Sequence, residues 1–140
     1  MISTKSIAAL FILGVLSLAG CREATIENVS ERSYGLSATS APKPLTLEEY
    51  EKAIVRAGIR RGWSFERVDT GHLLATNTVR GKHTAVVDVK FTAENDSITF
   101  NRSQNLRHDA SKNTIHPNYN HWVRNLGKDI RQEVMALRAS

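Results

Sequence analysis

Cysteine, proline and aromatic residues are scarce in this chain of 140 residues. It has one cysteine and three prolines, and aromatic residues make up 6% of it. A single thiol excludes an internal disulfide bond and a cysteine-based zinc cluster within one chain. The length fits one small domain and leaves little room for a second. Hydrophobic residues at 41% and charged residues at 24% are typical of a globular domain rather than a disordered chain.

Long apolar runs are also lacking, apart from one near the N-terminus. Lys5 and the free amine precede a predominantly apolar run from Ile7 to Leu18. As a helix this run would be about 18 Å long, which is too short for a hydrocarbon core of about 30 Å. Its length and its positive flank are typical of the hydrophobic region of a secretory signal peptide.

The residues after this run carry the most specific pattern in the chain. An aliphatic residue and two small residues precede the cysteine in Leu18-Ala19-Gly20-Cys21, which resembles the lipobox of bacterial lipoproteins. The resemblance implies cleavage between Gly20 and Cys21, a diacylglyceryl group on the thiol, and an acyl chain such as palmitate on the new amine. Two or more acyl chains anchor a protein stably without spanning the bilayer. Arg22, where inner-membrane lipoproteins of enterobacteria carry aspartate, favours the periplasmic face of the outer membrane.

The sequence divides into three parts. Residues 1–20 are predicted to be the signal peptide, residues 21–44 a lipidated cysteine with a flexible tether, and residues 45–138 a small folded domain. Serine, alanine and proline recur in the tether without a sustained period. A flexible segment of this length has a root mean square span of roughly 25–30 Å. An alternative is that residues 26–29 add a short edge strand to the domain.

The domain begins and ends with an amphipathic helix. Thr46 and Glu49 form a capping-box pattern at the start of the first helix, which ends near Gly62. The last helix runs from about Asn118 to Leu137 and carries one apolar stripe.

Four strands are predicted between the helices. After Trp63 apolar residues recur at every second position, and short turns at 69–71, 80–82 and 94–96 join antiparallel neighbours. The fold class is therefore α+β, a two-layer sandwich in the order α-β-β-β-β-α, with a four-stranded meander and two helices on one face. The other face of the sheet is expected to face solvent or a partner. Its residues are Thr76, Thr78, Arg80, Thr84, Val86, Asp88 and Lys90.

The region before and within the last helix is the most distinctive part of the domain. It reads TFNRSQNL over residues 99–106 and IHPNYNHWVRNL over residues 115–126. With RGW at 61–63, these segments resemble a group of small proteobacterial envelope lipoproteins for which no activity is established.

Two interpretations of this region remain open. In one, side-chain amides of Asn105, Asn118, Asn120 and Asn125 fasten the polar loop 102–116 to the helix, and Trp122 is buried against the sheet. In the other, the loop and the helix form a groove for a ligand or partner. The candidate partner-binding residues are Arg102, Asn105, Arg107, His116 and Asn120.

No catalytic motif stands out, so we expect a non-enzymatic envelope lipoprotein that binds another component. A net charge of +5 is compatible with an envelope protein, peptidoglycan or lipopolysaccharide as partner. Nucleic acid is not expected as a partner of an exported protein. No cofactor and no metal are predicted.

The alternative is a small hydrolase or a metal-binding protein that uses the histidines of residues 108–121. His108, Asp109, His116 and His121 lie close together in sequence, with Ser103 upstream. However, no G-x-S-x-G or HExxH spacing is present, and residues five apart do not share one face of a helix.

Overall fold

The computed structural model describes residues 22–33 and 44–140, which contain seven strands and two helices. In chain order they are β1 (Ala24–Thr25), β2 (Val29–Ser33), α1 (Leu47–Ile59), β3 (Trp63–Asp69), β4 (His72–Val79), β5 (His83–Phe91), β6 (Asn95–Gln104), β7 (Thr114–Ile115) and α2 (Pro117–Ala139). Five strands form one antiparallel sheet in the order β2-β6-β5-β4-β3, and β1 pairs with β7 separately. The α+β class and the meander of β3 to β6 are confirmed.

Helix α1 begins at the predicted capping box. The Thr46 side chain accepts from the Glu49 amide at 3.2 Å, and the Glu49 carboxylate accepts from the Thr46 amide at 2.9 Å. Both bonds satisfy amides that the first turn of a helix leaves free. The helix ends at Ile59, and Gly62 with φ +83° then turns the chain into β3. Only glycine adopts this conformation without steric cost.

One hydrophobic core lies between the helices and one face of the sheet. Alternate residues of β4, β5 and β6 point into it, as the period of two requires. Its fully buried members from the sheet include Ala75, Ala85, Val87, Val89 and Ile98, and those from the helices include Tyr50, Ile54, Val123, Leu126 and Ile130. Both helices therefore cover the same face.

The stretch that was expected to be a flexible tether is folded over much of its length. β1 pairs with β7, and β2 forms the edge of the large sheet next to β6. Ile26 and Val29 are 8% and 6% exposed and belong to the core. Burial of these two apolar side chains, together with strand pairing, offsets the entropy of ordering the segment. The prediction of a flexible tether is wrong for residues 24–33. An edge strand does form in this region, but it runs from Val29 to Ser33 and not over residues 26–29 as the alternative had it.

The turn expected at 94–96 is also wrong. β6 begins at Asn95, and Asp96 is only 1% exposed and accepts from the Tyr50 hydroxyl at 3.2 Å. The turn lies earlier, where the Thr92 hydroxyl accepts from the amides of Glu94 and Asn95. The hydrogen bond from Tyr50 of α1 thus satisfies the buried carboxylate of Asp96 within the strand.

The outer face of the sheet is less uniformly exposed than the alternation predicts. Val86 points away from the helices but is only 3% exposed. β5 is the middle strand, and Val86 pairs with Thr76 on one side and Arg102 on the other. Val86 is therefore buried although it lies on the outer face, at the central strand of the sheet.

The loop predicted at 102–116 is shorter than expected. β6 continues to Gln104, with a bulge at Asn101 between the pairs formed by Phe100 and Arg102. β7 then occupies 114–115, and His116 is the N-cap of α2 with Pro117 in the first turn. Pairing with β1 orders the end of this loop.

Candidate functional site

Two small clefts flank the indole of Trp122. The first, which we call the Trp122 cleft, has a volume of about 220 Å³. It is lined by Val79, Arg80, His83, Leu106, His116, Asn118 and Trp122. The second has a volume of about 210 Å³ and is lined by Arg61, Trp63, Asn77, Val79, Trp122 and Asn125. The Trp122 cleft lies between the residues after β6 and the start of α2, the region in which one of the two interpretations of the sequence places a groove.

The turn between β4 and β5 forms one wall of the Trp122 cleft. The amide of Lys82 donates to the carbonyl of Val79 at 3.2 Å, and Arg80 and Gly81 between them have φ of 56° and 62°. The Asn105 side chain donates to the carbonyl of Lys82 at 2.8 Å. Asn105 thus fastens the segment after β6 to this turn.

Two imidazoles in the cleft have opposite hydrogen-bonding character. His83 Nδ1 lies 2.9 Å from the carbonyl oxygen of Asn105 and must donate to it, so the neutral ring keeps Nε2 as an acceptor. His116 Nδ1 accepts from the Asn118 amide at 3.2 Å, so the proton is on Nε2 and that nitrogen donates. The pair can therefore offer one acceptor and one donor to a bound group.

Backbone strain is concentrated around this cleft. Within the described residues, the side-chain-bearing residues with positive φ are Arg80 at 56°, Asn105 at 57°, Arg107 at 53° and Asn113 at 53°. Arg80 lines the cleft, and Asn105 and Arg107 flank Leu106, which also lines it. For an arginine such a conformation costs on the order of 1 kcal/mol or more, and it persists only where the surroundings impose it.

The five candidate partner-binding residues do not come together at one place. Arg102 lies on β6, where its side chain donates to Asn101 at 3.1 Å, and not in the loop. Asn105 and Arg107 are exposed beside the cleft, and His116 lines it. Asn120 is 3% exposed.

Asn120 is therefore a structural residue, and its assignment as a partner contact is wrong. Its side-chain oxygen accepts from the Glu27 amide at 3.0 Å, and its nitrogen donates to the Thr25 carbonyl at 2.8 Å. Both ends of the amide are used to hold the segment before β2. The amide was expected to fasten the polar loop 102–116 to the helix, whereas it fastens the N-terminal segment instead.

Trp122 is half-buried rather than buried. It packs against the core on one side and lines both clefts with the remainder, whereas Trp63 is 3% exposed. The expectation that Trp122 is pinned fully against the sheet is wrong. Only part of the ring packs on the core, and the two clefts, lined in part by the core residues Trp63 and Leu106, lie beside the rest of it.

The residues of the hydrolase and metal alternative have separate local roles. His108 packs against Phe100 in a tilted arrangement with ring centroids 4.5 Å apart, and Asp109 accepts from the Ser111 hydroxyl at 2.6 Å. His121 Nδ1 accepts from Arg124 at 3.0 Å, and His116 caps α2. In the part of the chain that the structure describes, no three histidine, cysteine or acidic side chains are placed to hold a metal ion.

A polar network lies on the outer face of the sheet. Asp88 is hydrogen-bonded to His72 at 2.7 Å and accepts from Asn101 at 2.8 Å. Burial works to raise the pKa of Asp88, but these two bonds outweigh burial and hold the pKa below its ordinary value. The network fixes side chains on this face and leaves Lys90 exposed beside it.

Sequence reasoning missed the contribution of the β4–β5 turn to the cleft. It identified residues 80–82 as a turn but gave them no part in the groove, and it did not connect His83 with Asn105. One signal was available, since Arg80-Gly81 lies in a short hairpin turn, and the favoured turn type there gives both residues positive φ, as observed.

Comparisons with known proteins add no assignment: no family model, no curated protein and no solved structure matches this chain. Over residues 22–33 and 44–140, no helix has both the length and the apolar character needed to cross a membrane.

Proposed function

We propose that this protein is a lipid-anchored lipoprotein of the bacterial cell envelope whose α+β domain is a non-enzymatic binding module. The lipobox pattern at 18–21 supports the anchor, and those residues lie outside the part of the chain that the structure describes. Acyl chains at Cys21 hold the protein on the membrane, at the periplasmic face of the outer membrane. The domain then binds another component of the envelope.

The observation that carries the binding role is the make-up of the Trp122 cleft. It combines an aromatic face, two apolar residues and several hydrogen-bonding groups of defined polarity, which is the usual composition of a recognition site. Its volume of about 220 Å³ is below the roughly 300–1,000 Å³ of pockets that enclose a whole drug-sized molecule. The cleft therefore suits one group of a larger envelope component, such as a sugar ring, a headgroup or a side chain.

The anchor is tested with the Cys21→Ser variant. We expect mass spectrometry of the wild type to find acyl chains on Cys21 and the signal removed, and the variant to remain uncleaved or to be released from membranes. A variant that stays membrane-bound with its signal removed contradicts the anchor.

The binding role is tested by photo-crosslinking in native membranes. A photoreactive residue at Asn118, in the cleft, is compared with one at Lys128, which is exposed on the same helix. We expect a discrete crosslinked product from position 118 only. Equal products from both positions, or none from either, argue against the cleft as the binding surface.

A further inference from the structure

Folding of residues 24–33 leaves very little chain between the domain and the lipid anchor. Only Arg22 and Glu23 separate Cys21 from β1. Three residues of fully extended chain span at most about 11 Å. A domain on such a short connection stays next to the lipid surface and has little freedom to move away from it.

The end of the domain that bears this connection is also the end that bears the Trp122 cleft. Ala24 pairs with Ile115, and the next residue, His116, lines the cleft. The amide of His116 donates to the carbonyl of Leu106 at 2.8 Å, which places a second lining residue beside β7. Paired strands lie about 5 Å apart. The acylated cysteine is therefore separated from the cleft only by residues 22–23, which we call the leash, and by the spacing of one pair of strands.

The chemistry of the cleft favours an anionic group. Arg80 supplies a permanent positive charge, and His116 Nε2 donates a hydrogen bond. Among the described residues that line the cleft, none carries a carboxylate. Val79 and the Trp122 ring provide an apolar wall for a neighbouring carbon skeleton.

We propose that the Trp122 cleft binds the phosphate-bearing headgroup of a lipid in the same membrane that holds the anchor. The inference rests on the proposed lipoprotein function and adds the ligand class and its location. The leash raises the effective concentration of headgroups at the cleft, because binding becomes an intramolecular event at the membrane surface. Arg80 and His116 contact the phosphate, and Trp122 packs against the glycerol or sugar that carries it.

The experiment uses the mature, acylated protein in lipid nanodiscs. One set of discs contains phosphatidylcholine alone, and the other contains phosphatidylcholine mixed with phosphatidylglycerol. Hydrogen exchange is measured at the amides of residues 80–83 and 105–107, which surround the cleft. We expect these amides to exchange more slowly in the anionic discs, with residues 69–71 at another turn of the sheet as an internal reference.

Two variants separate cleft recognition from general surface charge. Arg80→Gln keeps a residue of similar length in the same backbone conformation, and we expect it to weaken the protection by about tenfold or more, since it removes a charge-assisted hydrogen bond. Lys90→Gln removes an exposed cation from the outer face of the sheet and is expected to leave the protection unchanged. Equal losses in both variants overturn the proposal.

A third variant tests the short connection. A Gly/Ser insert between Arg22 and Glu23 that extends the leash to a span of about 25 Å is expected to weaken the protection, because it lowers the local headgroup concentration. Protection that is independent of leash length contradicts the proposed geometry.

Soluble glycerol phosphate, added to protein in neutral discs, distinguishes a lipid from a free phosphate. If soluble glycerol phosphate slows exchange around the cleft as much as the anionic discs do, the site binds a soluble phosphate. The proposal that the ligand is a membrane lipid is then wrong. If Cys21 is acylated and the amides exchange equally fast in both kinds of disc, the proposal of a lipid headgroup as ligand is wrong. The proposed lipoprotein function is not affected by that result. An unacylated Cys21 overturns both.

Discussion

The side-chain amide of Asn120 donates to the backbone carbonyl of Thr25 at 2.8 Å, across 95 positions of sequence. The same side chain accepts from the amide of Glu27 at 3.0 Å. Through these two bonds helix α2 holds the segment that connects β1 to β2. The length of the proposed membrane leash depends on this fastening.

Asn120→Asp should release this segment. The carboxylate cannot donate to Thr25, and it places a charge at a position that is 3% exposed. We expect the free energy of unfolding to fall by about 2–3 kcal/mol, with faster hydrogen exchange in residues 24–33. Asn118→Asp, at an exposed position in the same helical turn, is the control and is expected to change stability by less than about 0.5 kcal/mol. Equal losses from both substitutions contradict the fastening role.

Val86 and Val87 offer a test of the two faces of the sheet. Replacement by threonine keeps the shape of the side chain and buries a hydroxyl, which costs about 1–3 kcal/mol where no partner is available. We expect both Val86→Thr and Val87→Thr to lower the free energy of unfolding by this amount, because the side chains are 3% and 0% exposed. Chemical denaturation measures both. A neutral Val86→Thr would show that the outer face is as open as simple alternation predicts.

Helix α1 approaches β3 closely at Gly58. A Cβ atom built at this position overlaps the ring of Phe65. We expect Gly58→Ala to destabilise the domain by about 1 kcal/mol, because overpacking outweighs the better helix propensity of alanine. In a Phe65→Leu background the same substitution should be neutral or stabilising, and a double-mutant cycle measures the difference. An identical effect in both backgrounds rules out the ring as the cause.

Asp88 contributes to the dependence of stability on pH. Its pKa is held below the ordinary value of 3.8, because bonds from Asn101 and His72 outweigh burial. A carboxyl group with a lowered pKa in the folded state stabilises the protein above the unfolded pKa, and this contribution is lost as the pH falls through the folded pKa. We therefore expect the wild type to lose more stability than Asp88→Asn when the pH is lowered from about 6 to about 3.

The control for this measurement is Glu66→Gln. It removes an exposed carboxyl from β3, two strands away in the same sheet. Urea denaturation across the pH range measures all three proteins. If the free energy of unfolding of the wild type and of Asp88→Asn changes in parallel with pH, Asp88 makes no such contribution.

The two tryptophans should differ in their energetic roles. Trp63→Ala empties a buried site and is expected to cost about 3–5 kcal/mol. Trp122 is half-buried beside two clefts, so Trp122→Ala is expected to cost about 1–3 kcal/mol, in proportion to the smaller area removed from water. Thermal unfolding measures both variants. A higher melting temperature for Trp122→Ala than for Trp63→Ala supports this order. The reverse order shows that Trp122 is the central packing residue.

Much of the fold was predictable because its signals are local. The Thr46 and Glu49 capping box, the turns at 69–71 and 80–82, and the alternation along β5 each depend on neighbours a few residues apart. Such patterns reflect backbone geometry and period, which hold wherever the segment lies. One of two interpretations of the sequence placed a groove at the start of α2, and the sequence did not decide between that groove and a loop fastened by side-chain amides.

The partners of isolated polar residues were not predictable in this way. Nothing in the sequence near Asn120 indicates that its amide binds residues 25 and 27, and nothing near Asp96 indicates Tyr50. A hydrogen bond between residues far apart in sequence carries no periodic signal, so buried and exposed asparagines look alike before the chain is folded.

The sequence by itself determined the class of the fold, the two helices, the four strands of the meander apart from the start of the last one, and the lipobox pattern from which the anchor is proposed. These follow from hydrophobic period, capping and turn chemistry, all of which act over short distances along the chain. Only the tertiary structure decided that residues 24–33 belong to the domain, that Val86 is shielded, and that His83 and His116 line one cleft. Each of these depends on surfaces that meet across the sheet or between distant segments, where burial and hydrogen-bond satisfaction are settled by the packing of the whole molecule.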